Sequence, residues 1–381
     1  NLSTPKHVKP EMVGIPLDEL LVSDRMKKLG YHTGIVGKWH VGDHLPAHHP
    51  NARGFDYFYG MLGGGHNYFP NEKNSKILEN KERVTEFSTP YLTDEFTVKA
   101  IQFMDPKLTR PWYLYLSYNS PHSPMQAKEV DLKDYAGILP KTRQIYCAMQ
   151  QSMDQNIGKL VKHLKDTKQY ENTLIVYFND NGGSVEVSNA INAPLNGTKG
   201  TFLEGGIRVP MIMHWKGQIK ANSVYEKPVI ALDFTPTFVG LAGGTIVEEI
   251  IPHRNKKKEK KRIRDGVDLM PYITGKNDAS PHRSLYWRML ARGGAVRTGD
   301  WKLLMTPHHS TMLFNLKDDI SEQNNLATKM PEKVAEMTKE YHAWLETFET
   351  NPLWISDVFW SGYNNRLYDA EYQLTQPEPR K

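Results

Sequence analysis

The sequence has almost no cysteine and no long apolar run, and both shortages exclude classes of protein. Cys147 is the only cysteine among 381 residues, so no disulfide can form within the chain. No apolar run approaches the roughly 20 residues of a transmembrane helix, so we expect no membrane span. Hydrophobic residues still make up 39% of the chain, enough for the core of one large domain, or of one large and one small domain.

The excess of positive charge is small, at +5, and much of it lies in residues 255–264 (NKKKEKKRIR). A block of like charge is typical of a solvated loop, and a docking site for an anionic partner is the alternative. The block has no interleaved aromatic residues and belongs to no recognised nucleic-acid module. We therefore expect no nucleic-acid partner.

Helix-like and strand-like segments alternate through the first two-thirds of the chain. Helical periodicity covers residues 20–29, 93–104, 145–164 and 233–242, and strand patterns cover residues 31–36, 112–118, 173–178 and 209–214. This alternation predicts an α/β fold, in which helices sandwich a mostly parallel central sheet. We assign residues 1–275 to this domain. Cys147 lies on the third helix, so we expect a helix residue and not a nucleophile.

The pattern changes in the last part of the chain. Strand patterns at residues 284–288, 295–305 and 312–316, the second interrupted by a Gly-Asp turn, predict consecutive antiparallel strands. A helical pattern then begins at Pro331, and proline is favoured at the first position of a helix. We therefore assign residues 276–381 to a smaller α+β subdomain with an antiparallel sheet and a helix.

Polar clusters follow the predicted strands, where the sites of open parallel sheets collect. After residues 31–36 come Lys38 and His40, two positions apart in an extended segment, so their side chains are expected to point the same way. After residues 112–118 comes His122, in a Pro-His-Ser-Pro segment whose prolines stiffen the backbone. A surface lysine and packed histidines are the alternatives at these positions.

Two further clusters follow the later strands. Asp180 offers a carboxylate and Asn181 an amide oxygen, which are hard ligands suited to calcium or magnesium. A hairpin turn is the alternative there, because Asn-Gly favours one. Lys199 lies in the glycine-rich residues 195–210, and such a loop can approach an oxyanion closely, although the GxGxxG and Walker A patterns are both missing.

These clusters together supply a metal pair, two lysines and two histidines near strand ends. Lysines and a divalent metal stabilise a tetrahedral oxyanion, and histidines supply acid and base near neutral pH. Within the glycine-rich segment, Glu204 and Arg208 are spaced to pair with each other and to brace the loop. The combination predicts hydrolysis of a sulfate or phosphate ester.

At these residues the sequence resembles the formylglycine-dependent sulfatases of the alkaline-phosphatase-like superfamily. GYHTGIVGKWHVG, at residues 30–42, is similar to the family's second signature. SPHSP, NDNGG and LNGTKGTFLEGGIRVP follow in the family's order, and LYWR, AVRTGDWKLL and LFNLKDDISEQNNLA are similar to its small C-terminal domain. The resemblance covers almost all of the chain and implies a sulfuric ester hydrolase, periplasmic or secreted, that depends on Ca2+.

The resemblance also implies a role for each matching residue. Asp180 and Asn181 match the family's late pair of calcium ligands, and Lys199 matches the lysine that contacts the sulfate and its bridging oxygen. Lys38 matches the lysine beside the nucleophile and the sulfate. His40 matches the histidine that helps to break down the sulfated intermediate.

His122 matches the histidine that contacts the sulfate and can protonate the leaving alcohol. In this family, one hydroxyl of a hydrated formylglycine attacks sulfur, the alcohol leaves, and the other hydroxyl is deprotonated to expel sulfate and restore the aldehyde. The motif that supplies this nucleophile and the acidic pair that completes the calcium site are missing, and Cys147 does not match. We expect the N-terminal part of a parent protein, including a central strand, to precede this chain, and its absence to expose apolar surface.

Among substrates, the resemblance favours a sulfated carbohydrate, such as a polysaccharide or its oligosaccharides. Residues 62–69 (LGGGHNYF) resemble polysaccharide sulfatases, including those for sulfated algal galactans. The candidates to line a sugar-binding cleft are His44, His66, Trp287 and Arg288, with loop packing as the alternative. A phosphodiesterase or phosphonate hydrolase of the same superfamily is the second interpretation, although those enzymes tend to carry Asp-His where this chain has Asp-Asn. A catalytically incomplete fragment that binds an anionic glycan is the third.

Overall fold

The computed structural model describes residues 14–246, 250–252, 259–261, 265–289, 293–347 and 366–377. The chain forms two compact units: unit 1 comprises Asn1–Tyr135, Cys147–Leu174 and His214–Pro281, and unit 2 comprises Ala136–Tyr146, Ile175–Met213 and His282–Lys381. The division into two domains at residue 275 stays a prediction. The basic block at residues 255–264 lies outside the described residues, apart from residues 259–261.

Unit 1 is built on a five-stranded sheet. Its strands are β1 His32–Lys38, β2 Tyr57–Met61, β3 Leu78–Glu79, β4 Glu82–Arg83 and β5 Trp112–Ser117, in the order β4-β3-β2-β1-β5. Strand β1 pairs in parallel with both β2 and β5, while β3 and β4 extend the sheet antiparallel. Every residue of β1 between its two ends is buried, as expected of a parallel strand that is covered on both faces.

The helices run, in chain order, over α1 Val22–Lys28, α2 Leu92–Phe103, α3 Glu129–Lys133, α4 Lys141–Asp166, α5 Val185–Ser188, α6 Glu204–Ile207, α7 Phe234–Leu241, α8 Met270–Ile273 and α9 Pro331–Leu345. Helix α2 packs on the sheet of unit 1, where Leu92 and Phe96 join Val36 and Tyr59 in a buried core. Cys147 lies on α4, as predicted. In the parts of the chain that are described, no helix combines the length and the apolar character that crossing a membrane requires.

The remaining strands form smaller sheets. They are β6 Ile175–Phe178 with β7 Met211–His214, β8 Ile250–Pro252 with β9 Glu259–Lys261, and β10 Ser284–Met289, β11 Gly293–Thr298, β12 Trp301–Met305 and β13 Met312–Asn315. Strands β10 to β13 form an antiparallel sheet in chain order. Helix α9 packs on this sheet through Met337 and Tyr341, which contact Leu303 and Leu313. The predicted α/β fold with a separate antiparallel sheet is therefore confirmed.

The sequence patterns do not predict β2, because it has only five residues and runs directly into a glycine loop. The two central strands approach closely at Gly60, where an added Cβ would lie 1.8 Å from the carbonyl oxygen of Gly37. Glycine at this crossing therefore allows β1 and β2 to pair. Apolar side chains are exposed on several strands, among them Tyr115 on β5 by 42% and Ile212 on β7 by 63%. That an absent segment causes this exposure of apolar side chains stays a prediction.

Candidate functional site

Lys38 is the last residue of β1, and the chain leaves the sheet immediately after it. Trp39 is buried, and its indole N–H lies 3.0 Å from each of the backbone oxygens of Gly42 and His48, to which it donates. His40 then adopts a left-handed backbone conformation, with a φ of 54°. The expectation that Lys38 and His40 share one face of an extended segment is therefore wrong, because the strand ends before His40 and the backbone turns there.

A glycine loop at residues 63–65 lies against both candidate histidines of unit 1. The imidazole of His40 packs on Gly64, where an added Cβ would lie 2.6 Å from a ring carbon. A Cβ on Gly65 would lie 3.7 Å from the ring of His122. Gly64 thus packs on the ring of His40, where a side chain would displace the imidazole, and Gly65 lies near the ring of His122.

His122 is exposed and projects from a tight turn that begins at Asn119. The carbonyl oxygen of Asn119 accepts the backbone N–H of His122 at 2.8 Å, which closes the turn. The Nδ1 atom of His122 lies 2.8 Å from the carbonyl oxygen of Ser123. A carbonyl oxygen only accepts, so this contact is a hydrogen bond in the tautomer that carries its hydrogen on Nδ1.

Asn192 joins the two candidate segments of unit 2. Its Oδ1 accepts the backbone N–H of Gly183 at 2.9 Å, and its Nδ2 donates to the carbonyl oxygens of Gly183 and Gly197 at 2.9 and 3.0 Å. The backbone N–H of Lys199 donates to the same Gly183 oxygen at 3.3 Å. The residues just after Asn181 and those just before Lys199 are therefore held side by side.

The segment at residues 179–183 is not a hairpin turn. Strand β6 ends before it, and helix α5 follows in place of a return strand. Gly182 packs on the backbone of the glycine-rich loop, since an added Cβ would lie 1.7 Å from the carbonyl oxygen of Gly205. Glycine at this position therefore allows the Asp180–Asn181 segment to pack directly against the loop that carries Lys199.

A buried charge cluster braces the glycine-rich loop. Glu204 is 2% exposed, and its carboxylate lies 2.7 Å from Nζ of Lys302. Lys302 is fully buried, and its Nζ lies 2.9 Å from the carboxylate of Glu322. The guanidinium groups of Arg208 and Arg297 each lie 3.7 Å from the other oxygen of Glu204. The predicted pair of Glu204 and Arg208 is therefore confirmed, but Lys302 is the closer cation.

The two carboxyls of this cluster have opposite pKa shifts. Burial disfavours the charge on Glu204, but Lys302 and the two nearby arginines outweigh it and lower the pKa of this carboxyl. At Glu322, burial outweighs the attraction of Lys302 and raises the pKa, and the charge of Glu204 raises it further. The backbone N–H of Glu204 also donates to Glu322 at 2.6 Å, so the cluster fixes the backbone as well as the charges.

Asp180 and Asn181 present the oxygen donors that calcium prefers. Asp180 is exposed, and the side-chain oxygen of the adjacent Asn179 is buried without a hydrogen-bond partner. Nδ2 of Asn181 donates to the carbonyl oxygen of Gly182 at 3.1 Å, so the amide oxygen is the atom that Asn181 can offer to a cation. Calcium takes about 6–8 oxygens, so these donors fit in chemistry but supply only part of a site. Nowhere in the described ranges do three or more His, Cys, Asp or Glu side chains form a group that could hold a metal.

The two histidines that were candidates for sugar contact differ in environment. His44 is exposed and lies 2.8 Å from the carboxylate of Asp43. His66 is buried, and its Nε2 accepts the backbone N–H of Lys76 at 2.9 Å. Its Nδ1 lies 2.8 Å from the carbonyl oxygen of Asn67, and burial lowers the pKa of the imidazole. Both ring nitrogens of His66 therefore contact the backbone.

Trp287 and Arg288 are neighbours on β10 of unit 2. Trp287 is partly buried against a cluster that includes Phe202 and Leu203 of the glycine-rich loop. Arg288 is exposed. A role of these two residues, or of the two histidines, in sugar contact stays a prediction.

Comparison with known proteins finds relatives along the whole chain. The family model described as sulfatase matches residues 2–244, and the model described as N-sulphoglucosamine sulphohydrolase, C-terminal, matches residues 198–351. The chain is 27% identical to the uncharacterized sulfatase YdeN of Escherichia coli (strain K12), over 92% of this chain and 70% of that protein. It is 30% identical to N-acetylgalactosamine-6-sulfatase of Mus musculus, over 99% of this chain and 70% of that protein.

Two solved structures share the fold. The crystal structure of Ps i-CgsB in complex with k-i-k-neocarrahexaose aligns with a TM-score of 0.81 and 35% identity, over 96% of this chain and 81% of that one. The crystal structure of PsFucS1 sulfatase from Pseudoalteromonas sp. aligns with a TM-score of 0.67 and 24% identity, over 86% of this chain and 73% of that one. At this identity, the similarity to PsFucS1 sulfatase shows a shared fold alone.

Proposed function

We propose that this chain, which belongs to the sulfatase family of sulfuric ester hydrolases, removes sulfate from a sulfated carbohydrate. Two local arrangements of candidate side chains, one in each unit, carry the proposal. In unit 1 one glycine loop packs on the ring of His40 and lies near that of His122, and in unit 2 Asn192 joins the Asp180 segment to the Lys199 loop. These groups are the cations, acid, base and metal ligands that ester cleavage at sulfur needs.

We assign the groups of unit 1 to proton transfer and to charge. His122 is the general acid, since its Nδ1 hydrogen is directed to Ser123 and its Nε2 can give a proton to the departing alcohol oxygen. His40 is the base that takes the hydroxyl proton when the sulfated intermediate breaks down. Lys38, at the end of β1, places a cation beside the nucleophile and the sulfate.

In unit 2 we assign Lys199 to the sulfate and its bridging oxygen, where a cation stabilises the charge that develops as the bond breaks. Asp180 and Asn181 would hold part of a calcium site, and bound Ca2+ would supply further positive charge. The backbone bond from Lys199 to Gly183 supports this assignment, because it ties the lysine loop to the segment of the two ligands.

The nucleophile that we propose is a formylglycine outside these 381 residues. Cys147 does not suit this role, because it lies in the middle of α4. Peptide mapping by mass spectrometry of the full-length protein, expressed from its complete gene, is expected to find an aldehyde in place of a cysteine or serine. An active protein with no such residue would contradict the proposal. We also propose a periplasmic or secreted location, which cell fractionation tests.

The proposed substrate class is a sulfated polysaccharide or its oligosaccharides. Its support is the 35% identity to Ps i-CgsB, whose structure holds k-i-k-neocarrahexaose, and the 30% identity to an N-acetylgalactosamine-6-sulfatase. Sulfate release by the full-length protein from a panel of sulfated oligosaccharides tests the class. Release is expected to stop on calcium chelation and to return when calcium is added.

Lys199→Ala is expected to lower kcat/KM for sulfate release by about 10²–10³-fold, because one preorganised group that stabilises developing charge is lost. Lys216→Ala is the matched control, since Lys216 is 57% exposed and pairs with Glu171 at the surface. A Lys199→Ala protein that is as active as this control would overturn the assignment.

A further inference from the structure

Tyr68 is fully buried, and its hydroxyl lies against the turn that carries His122. Its Oη is 2.7 Å from the carbonyl oxygen of Asn119 and 2.8 Å from that of His122. A phenol has one hydrogen and a carbonyl only accepts, so this hydrogen is shared between the two ends of the turn. Burial raises the pKa of Tyr68 well above its ordinary value, so the hydroxyl keeps its hydrogen at neutral pH.

Tyr68 is itself held on several sides. Its backbone N–H donates to the side-chain oxygen of Gln126 at 2.8 Å, and its carbonyl oxygen accepts the backbone N–H of Leu92 at 2.8 Å. Its ring stacks on Tyr91, with 5.6 Å between the ring centroids. A hydroxyl anchored in this way has little freedom, so it transmits a fixed geometry to the turn.

The segment that leads to Tyr68 also lies near both candidate histidines. Gly64 and Gly65 lie against the rings of His40 and His122, only a few residues before Tyr68. The structure therefore joins the two rings and the base of the His122 turn through one short stretch of chain.

We propose that Tyr68 is a positioning residue for the reaction, whose hydroxyl fixes the His122 turn so that Nε2 meets the leaving oxygen. The inference rests on the proposed role of His122 as the general acid. Its physical basis is that proton transfer requires a hydrogen-bonded geometry, and that a displacement of about 1 Å can lower a rate by roughly 10²-fold.

Tyr68→Phe tests this inference, because it keeps the ring and removes the shared hydrogen. A sugar alkoxide needs protonation as it leaves, whereas 4-nitrophenolate does not. We therefore expect kcat for a sulfated oligosaccharide to fall by about 10- to 100-fold, and kcat for 4-nitrophenyl sulfate to fall much less. The ratio of the two rates, measured on the full-length protein, is the readout, since a general loss of folded enzyme lowers both rates alike.

Tyr91→Phe is the matched control. Tyr91 is equally buried in the same stack, but its hydroxyl donates to the carbonyl oxygen of Gln126 at 3.0 Å and not to the His122 turn. We expect the ratio of rates to stay as in the unchanged protein.

The His122→Ala variant distinguishes a failure of the proposed role of His122 from a failure of the inference about Tyr68. If it lowers both rates equally, His122 is not the general acid, and the inference about Tyr68 is overturned with it. If His122→Ala acts selectively on the oligosaccharide and Tyr68→Phe does not, only the inference about Tyr68 is overturned. If Tyr68→Phe lowers kcat equally for both substrates, the hydroxyl serves folding alone and the inference about Tyr68 is overturned.

Discussion

Lys302 is fully buried between the carboxylates of Glu204 and Glu322, and these two side chains are themselves almost inaccessible. Lys302→Met keeps much of the apolar stem and removes the charge, which leaves two buried carboxylates without their shared cation. We expect the free energy of unfolding to fall by about 3–5 kcal/mol, the usual cost of breaking a buried ion pair from one side. Urea unfolding followed by tryptophan fluorescence measures the change.

Lys317→Met is the control for this prediction, because Lys317 is an exposed lysine of the same unit. Its effect should stay within about 0.5 kcal/mol, as for most surface substitutions. Lys302→Met combined with Glu322→Gln should recover part of the loss, since it removes one of the two carboxylate charges that share Lys302. A Lys302→Met protein as stable as Lys317→Met would contradict the role of the cluster.

Single residues could be predicted from the sequence where glycine or proline surrounds them. Lys38, His122 and Lys199 stand out in this way, and local spacing alone predicts the pair of Glu204 and Arg208. Tyr68 and Lys302 give no such signal, because their partners are distant in the chain. Tyr68, for example, bonds to a carbonyl 51 residues away.

Asn192 connects two loops, residues 179–183 and residues 195–210, through its side chain. Asn192→Asp keeps the oxygen that accepts from Gly183 but loses the two donated bonds, one of which crosses to Gly197. We expect the loops to separate slightly and the calcium concentration for half-maximal activity to rise about 10-fold, the lower range for a lost partner that orients metal ligands. Calcium titration of sulfate release measures this shift.

Asn222→Asp is the control for the loop prediction. Asn222 is exposed in unit 1, and its substitution introduces the same charge outside the two loops. We expect the calcium dependence to stay unchanged. If Asn192→Asp also leaves it unchanged, the bond from Asn192 to the Lys199 loop has no part in organising the proposed calcium ligands.

Elements with strong periodicity are predicted well, and the junctions between them are not. Strands β1 and β5, the helix with Cys147 and the antiparallel sheet occur where apolar patterns place them. Strand β2 is missed, because five residues are too few to show a detectable periodicity of apolar residues. The turn at His40 is also missed, since its left-handed conformation depends on the surrounding fold and not on a glycine.

Two buried histidines and one half-buried histidine make the stability of the molecule depend on pH. Burial lowers the pKa of His48, His49 and His66, and Arg53 lowers that of His48 further. In the unfolded chain these side chains titrate near about 6.5, so the unfolded state binds more protons at mildly acidic pH. The free energy of unfolding should therefore fall as the pH drops below about 6.5, until the folded pKa values are passed.

Urea unfolding at about pH 7.5 and about pH 5.5 measures this difference, and His48→Gln should reduce it. His48 suits the test because neither of its buried ring nitrogens has a hydrogen-bond partner. His342→Gln, at an exposed position on α9, should leave the difference unchanged. A difference of the same size in His48→Gln and His342→Gln would show that His48 does not contribute.

The most direct test of the central claim compares esters of sulfate with esters of phosphate. Asp180 is followed by Asn181 and not by histidine, so the proposed site suits calcium and a sulfate ester more than a transition metal and a phosphodiester. We predict that the full-length protein, with calcium, has a far higher kcat/KM for a sulfated oligosaccharide than for a phosphodiester or a phosphonate monoester. Equal or faster turnover of the phosphodiester would contradict the assignment.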